Sequence, residues 1–219
     1  MKYYPINLDV RDRNCLVIGG GRVGRRKVAT LMECGARITV VSLDANDAIC
    51  ALAKENRVVL KKRGYVESDL EGIFLVMGAT DDEDLNRRIH ADASRRNILC
   101  NIADRPEICD FILPAIVKRG DLSIAISTSG KSPAFAKHLK DQMEADIGDE
   151  YAIFLELMGA IRTKLLCEAH EPEVHKPLFN RLISGGLVAM IKEEKTKEIN
   201  RLLETTLGCG YDYASLMGG

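Results

Sequence analysis

The first half of the chain alternates short continuous apolar runs with stretches of helical spacing, and the second half keeps helical spacing for most of its length. Continuous apolar runs are what strands need when helices cover both faces of their sheet. Residues 15–18, the β-branched run 37–41, and residues 57–60, 73–79 and 99–103 read as five such strands. Between them, Val23, Val28, Leu31 and Met32 ahead of Gly35 predict one helix, and the stretches around 48–53 and 84–96 predict two more. Strand, helix and strand in regular succession predict a parallel sheet. A lead-in at residues 6–10 alternates apolar and polar positions and is expected to lie against the domain edge.

The pattern changes after Asp110. Residues 111–117 and 122–128, joined by a polar turn at 118–121, predict a hairpin, and its open edge suits pairing with a second copy. Ser132 as N-cap and Pro133 as first residue start a helix whose stripe is Phe135, Leu139, Met143 and Ile147. Further helices are expected around Phe154, Met158, Ile161 and Leu165, from Leu178 to Ile183, and as one long element from Leu187 to Leu203. Its charge run at 192–195 reads as a solvated face, and the tail from Gly208 as frayed. The expected fold is α/β: a Rossmann-like parallel sheet over 1–110, a β-hairpin/helix dimerisation region over 111–149, and a C-terminal helical domain over 150–219.

The first strand runs directly into Gly19, Gly21 and Gly24, a spacing that turns a strand tightly into a helix beside a pyrophosphate. In that reading Gly19 permits the turn, Gly21 admits the phosphates to the backbone, and Gly24 lets helix and strand pack closely. Arg22 and Val23 open the helix, whose first N–H groups lack internal partners and suit an anion. The second strand ends at Ser42, and Asp44 either holds the ribose hydroxyls or caps the next helix. No arginine follows that strand to meet a 2′-phosphate, which favours NAD over NADP. Ala79 and Thr80 end the fourth strand and are expected to line the cofactor crevice, while Thr80 or Asp81 can also cap the helix that follows. Asp104 ends the fifth strand. A carboxylate there is positioned for proton transfer, although an Asp before Arg105-Pro106 can also simply form a turn.

Composition narrows the classes. With 46% hydrophobic and 29% charged residues and a net charge of −1, the 219 residues suggest a globular protein with no nucleic-acid or membrane surface as general partner. No apolar run has the length of a membrane span and Met1–Pro5 lacks a signal core, so a cytoplasmic protein is expected. The seven cysteines form no C-x-x-C pair and read as reduced thiols. His90, His138, His170 and His175 lack ligand spacing and read as surface residues, so no stable metal site is expected. Arg25, Arg26 and Lys27 oppose the dipole of the helix they begin, which an anionic partner nearby explains.

Taken in order, Tyr4-Pro5-Ile6, Arg13–Gly24 with Arg26-Lys27, Ala79-Thr80-Asp81-Asp82, Asn101-Ile102-Ala103-Asp104, Phe111-Ile112-Leu113-Pro114-Ala115 and Ser127–Pro133 resemble the precorrin-2 dehydrogenases, including the dehydrogenase/ferrochelatase portion of siroheme synthases. The resemblance implies NAD-dependent oxidation of precorrin-2 to sirohydrochlorin, toward siroheme or cobalamin, by a homodimer. It makes Asp104 the acid/base and puts Asn101 beside cofactor or substrate. Precorrin-2 carries eight carboxylate arms, for which Arg105, Lys118, Arg119, Lys131 and Lys137 are candidate holders, with Ser127 and Ser129 in the hydroxyl-rich loop. Some members also insert ferrous iron as a second substrate. Fused siroheme synthases carry a methyltransferase half absent from these residues, so a separate methyltransferase is expected to supply the substrate. Two competing readings are a non-catalytic NAD-sensing domain of a transport system and a dehydrogenase of a small hydroxy or amino acid. The first does not predict the segment from Asn101 to Asp104 or the hairpin, and the second calls for a strand-end His or Lys that is not found.

Overall fold

The computed structural model describes residues 2–167 and 172–218. Its chain divides into two compact units, Met1–Leu113 and Pro114–Gly219.

The first unit is built on five parallel strands: β1 (Asn14–Gly20), β2 (Arg37–Ala45), β3 (Val59–Lys61), β4 (Leu75–Gly78) and β5 (Leu99–Ile102), in the order β3-β2-β1-β4-β5. Helices α1 (Arg22–Glu33), α2 (Asp47–Lys54) and α3 (Glu83–Arg95) are the crossovers. Side chains alternate between faces even where every one is apolar. Cys15 and Val17 join Val28 and Leu31 of α1 and Ile49 of α2 in one core, and Leu16 and Ile18 join Ile89 and Ala93 of α3 in the other. Two buried faces are why these strands carry continuous apolar runs. Capping defines the helices: the Asn46 side chain accepts the Ile49 N–H at 3.0 Å and Asp82 accepts that of Leu85 at 3.0 Å. The caps expected at Asp44 and at Thr80 or Asp81 are therefore displaced by two residues and by one or two. β2 also continues to Ala45 rather than ending at Ser42.

Two buried carboxylates of this unit are paired. Asp69, buried, receives Arg63 at 2.7 and 2.6 Å and Lys61 at 2.9 Å, which hold its carboxyl far below the usual range, the Arg63 hydrogen bonds contributing most. Asp92, also buried, accepts the Tyr65 hydroxyl at 2.9 Å and Arg95 at 2.6 Å.

In the second unit, β6 (Ala115–Arg119) and β7 (Leu122–Ile126) pair antiparallel with Arg119 opposite Leu122. The hairpin loop is only Gly120-Asp121, so Lys118 and Arg119 belong to the strand and not to the turn. Phe111 to Pro114 precede the strand instead of forming it. Helix α4 (Pro133–Asp146) starts at Ser132 as expected, the Phe135 N–H reaching the Ser132 hydroxyl at 3.2 Å. Helices α5 (Glu150–Cys167), α6 (Pro172–Ser184), α7 (Leu187–Lys192), α8 (Thr196–Leu207) and α9 (Tyr213–Leu216) follow. Leu157, Ile161 and Leu165 of α5, spaced by four, meet Leu182, Leu187, Ile191, Ile199 and Leu203 in their core.

Three further expectations are corrected. The single long helix is two, broken where Glu194 takes φ 54° and Lys195 N–H returns to Met190 C=O at 2.9 Å, so the charge run 192–195 mostly forms the turn. The tail is ordered rather than frayed: Tyr211 is buried in the helical core and Tyr213 N–H donates to the Asn200 side chain at 2.8 Å. His175 is buried and His90 half-buried, not surface residues, whereas His138 is exposed. The expectation for His170 lies outside the described residues. No helix among the described residues is long and apolar enough to cross a membrane.

Candidate functional site

The carboxyl ends of β1, β4 and β5 are tied side by side. Ala79 N–H donates to Ile18 C=O at 2.7 Å and Ala103 N–H to Gly78 C=O at 2.9 Å, so the turns leaving the three strands share one edge. That edge gathers Gly19 to Gly24, Ala79, Thr80 and Asp104, as the topology of a doubly wound sheet requires.

The glycines of the first turn serve different ends. Gly19 has φ 109°, and a Cβ there would lie 2.2 Å from the Ala79 carbonyl oxygen; at Gly24 it would lie 1.9 Å from that of Gly19. Both are demanded by the protein's own packing. Gly21 is not: its φ of −75° suits any residue and a Cβ would meet nothing within 4 Å. Its small size therefore leaves open space just ahead of the α1 N-terminus, where unpaired N–H groups favour an anion. Arg22 is exposed and Val23 half-buried at that terminus. The residues present thus fit a dinucleotide pyrophosphate.

Ser42 and Asp44 flank the same turn. The Ser42 hydroxyl accepts Gly20 N–H at 2.8 Å and donates to Asp44 C=O at 2.6 Å, fixing the loop on β2. Freed of capping duty by Asn46, the Asp44 side chain is exposed. Thr80 accepts Asp82 N–H at 3.2 Å and pairs with buried Asn86 at 3.2 Å, which rigidifies the β4 exit. Asp104 is exposed, in the left-handed region at φ 59°, within a turn closed by Arg105 N–H to Ile102 C=O at 3.4 Å. An aspartate tolerates this conformation better than most residues, and unusual backbone of this kind is concentrated at functional sites.

Other candidates are already engaged within the protein. Asn101 is buried; its Oδ1 accepts Lys27 Nζ at 2.7 Å and its Nδ2 donates to Phe111 C=O at 2.9 Å, so it acts as an internal brace. Arg105 is ion-paired with Glu83. Arg119 donates to the Glu144 carbonyl at 2.9 Å and lies 3.7 Å from Asp149, where its charge suits the α4 C-terminus. In the second unit Lys118 is exposed on β6, and Ser127, Ser129 and Lys131 are exposed around a turn in which Ser129 N–H meets the Ser127 hydroxyl at 3.1 Å. Lys137 is exposed on α4.

Sequence reasoning grouped Lys27 with Arg25 and Arg26, but the helix separates them. Arg22, Arg25 and Arg26 line a groove of about 890 Å³ between α1 and α2, while Lys27 turns inward, 7% exposed. Helical phase was the available signal: Gly24, Lys27, Val28 and Leu31 share the buried face. Among the described residues no group of three His, Cys, Asp or Glu side chains comes together as a metal site.

Parallel strand order, tight glycine turn and strand-edge carboxylates define a dinucleotide-fold domain with a hairpin and helical unit appended. Residues 6–115 match the family described as "Putative NAD(P)-binding", and the chain belongs to that family; residues 119–145 match a second, described as "Sirohaem biosynthesis protein central". The siroheme synthase of Thioalkalivibrio sulfidiphilus is 34% identical over 97% of this chain and 43% of its own length, and that of Methylococcus capsulatus 32% identical over 93% and 43%. The chain thus spans under half the length of these relatives. A solved structure described as SirC, precorrin-2 dehydrogenase, shares the fold at a TM-score of 0.78 and 24% identity, covering 92% of this chain and all of that one. The family resemblance drawn from the motifs is borne out, as is the Rossmann-like fold.

Proposed function

We propose that the protein oxidises precorrin-2 to sirohydrochlorin with NAD, in siroheme or cobalamin formation. The observation that carries this reading is the shared edge of β1, β4 and β5, with the open glycine turn at the β1 exit and the exposed Asp104 carboxylate after β5, the β4 exit lying between them. The Gly19–Gly24 turn, with the N–H groups of Arg22 and Val23, holds the pyrophosphate; Asp44 takes the ribose hydroxyls; Ala79 and Thr80 shape the crevice. Bound NAD supplies the hydride acceptor. The substrate loses a hydride and one proton, and the Asp104 carboxylate takes the proton. Arg105, Lys118, Arg119, Ser127, Ser129 and Lys131 are the proposed holders of substrate carboxylates. The siroheme synthase relatives support this enzyme reading over a transport-system sensor or a small hydroxy-acid dehydrogenase.

Purified protein given precorrin-2 and NAD is expected to form sirohydrochlorin, and Asp104→Ala to lose this by about a hundredfold or more while keeping NAD affinity. No oxidation of precorrin-2 with either nicotinamide cofactor overturns the reading. We extend it to insertion of ferrous iron, which a faster metallation of sirohydrochlorin with the protein than without it supports.

We further propose a cytoplasmic homodimer formed through residues 111–149. The free thiols support the compartment. In α4 only Ala136 is buried, and Phe135 and Ile116 are 52% and 42% exposed, which leaves apolar surface for a second copy. Light scattering is expected to give a dimer, and Phe135→Glu with Ile116→Lys a monomer.

A further inference from the structure

The side chains of Arg22, Arg25 and Arg26 have no part in the proposed reaction, and all are exposed. Arg22 and Arg25 stand in the first turn of α1 and Arg26 directly after it, with no acidic residue in that turn and Glu33 at the far end. Both ends of the helix therefore carry the charge that opposes its dipole, and Arg22 repels Arg25 and Arg26 across one turn. None of these guanidiniums has an ion-pair or hydrogen-bond partner among the described residues. An arrangement of this kind is repaid by an anion from outside the chain.

The same helical phase builds a place for one. Arg22, Arg25, Arg26 and Ala29 keep an i, i+3, i+4, i+7 spacing on α1, and Ala48, Ala51, Leu52 and Glu55 repeat it on α2, while Val28, Leu31 and Ile49 enter the core from the opposite faces. The groove between the two stripes, of about 890 Å³, has the size of a small-molecule site. Short alanine side chains leave a flat apolar floor, flanked by half-buried Met32 and Leu52. Arg57, beyond the end of α2, adds a further guanidinium, 3.8 Å from Glu55. Guanidiniums present paired N–H donors in the fixed fork that fits carboxylates. A ligand that satisfies both features has a broad apolar body and several carboxylates. Helix α1 joins β1 to β2 and α2 joins β2 to β3, so the groove lies over the β3-β2-β1 half of the sheet, whereas Asp104 follows β5 at the other margin. The groove is not the place of proton transfer.

We propose that the α1–α2 groove is a second binding site of this protein, which holds a carboxylate-rich tetrapyrrole away from the catalytic edge. The identity of the ligand rests on the precorrin-2 reading, because substrate and product of that reaction are macrocyclic polycarboxylates; the site itself rests on the arginine stripe and its apolar floor. The ligand's carboxylates supply the negative charge that the head of α1 lacks, and its macrocycle lies on the alanines.

The test needs no turnover. Uroporphyrin, a stable tetrapyrrole with the same kind of carboxylate arms, is the probe, and the molecules bound per chain are counted by equilibrium dialysis. Arg25→Gln combined with Arg26→Gln and Arg57→Gln is expected to lose one bound molecule per chain while NAD affinity stays within about twofold. Its melting temperature is expected not to fall, as it would if the arginines served the fold. Ala51→Glu, which puts a carboxylate on the floor, is expected to lose the same molecule. Unchanged stoichiometry in both variants overturns the proposal, and so does equal competition by citrate, which has carboxylates and no apolar body. A variant that changes the oligomeric state and not the stoichiometry gives the groove to a second copy and also overturns it. Two molecules on the wild type and one on the variants agree with the groove and with the precorrin-2 reading together. One and none uphold the groove and count against a tetrapyrrole at the catalytic edge, which overturns that reading instead.

Discussion

Gly21→Ala and Gly24→Ala add the same methyl group three residues apart and are expected to fail in opposite ways. At Gly24 the new Cβ falls 1.9 Å from Gly19 O and 3.0 Å from Gly19 C, both backbone atoms that no rotamer change can move aside. Helix α1 must back away from β1 and loosen the contacts of Val28 and Leu31. Overpacking costs about 1–3 kcal/mol, and a clash with backbone belongs in the upper part of that range. At about 2–4 °C per kcal/mol for a chain of this size, the melting temperature should fall by about 4–12 °C. At Gly21 the Cβ meets nothing within 4 Å at a φ open to any residue, so stability should stay within about 1 kcal/mol. The methyl group does, however, occupy the space that a pyrophosphate needs, and NAD affinity should fall about tenfold or more, about 1.4 kcal/mol. Thermal unfolding followed by circular dichroism and NAD titration by calorimetry separate the two effects. Gly21→Ala that binds NAD as well as the wild type, or that unfolds as early as Gly24→Ala, refutes the assignment of Gly21 to the ligand.

Asp69 has a carboxyl held below its unfolded value by Arg63 and Lys61, so the stability it contributes is present above about pH 4 and is lost as pH falls below that. Asp69→Asn should therefore lower the urea midpoint at pH 7 and differ progressively less from wild type on acidification; a constant difference would sink the linkage. Arg119→Met removes the donor to Glu144 C=O and should destabilise by about 1–2 kcal/mol in urea while leaving NAD affinity unchanged. An aromatic disulfide reagent at pH 8 should modify the exposed Cys34, Cys167 and Cys209 quickly and spare Cys15 and Cys100, whose thiols burial pushes up to about 11 and about 12. Mass mapping of the modified peptides reads this directly.

Local pattern carried the architecture of the first unit a long way. Strands buried on both faces need uninterrupted apolar runs, and the Gly19 turn needs a residue able to hold φ 109°, so both leave marks on neighbouring residues. The start of α4 at Ser132-Pro133 was legible for the same reason. Periodicity failed where two helices continue one apolar phase: nothing in the spacing of Leu187 to Leu203 announces the break at Glu194, because the turn is stabilised by Lys195 N–H returning to Met190. The tail read as frayed because its order depends on Tyr211 finding a core built mostly by α5 to α8.

For the site, sequence alone determined the glycine turn, the region of the exits of β1, β4 and β5, and the candidates Asp44, Thr80 and Asp104. What a polar side chain bonds to was decided by the tertiary structure. Lys27 and Asn101 lie 74 residues apart, and only the folding of α1 onto the parallel sheet puts the ammonium against the carboxamide. The same folding took Arg119 for the end of α4 and Arg105 for Glu83. A helical or strand period encodes which face is buried; the identity of the partner waiting there is set by long-range packing.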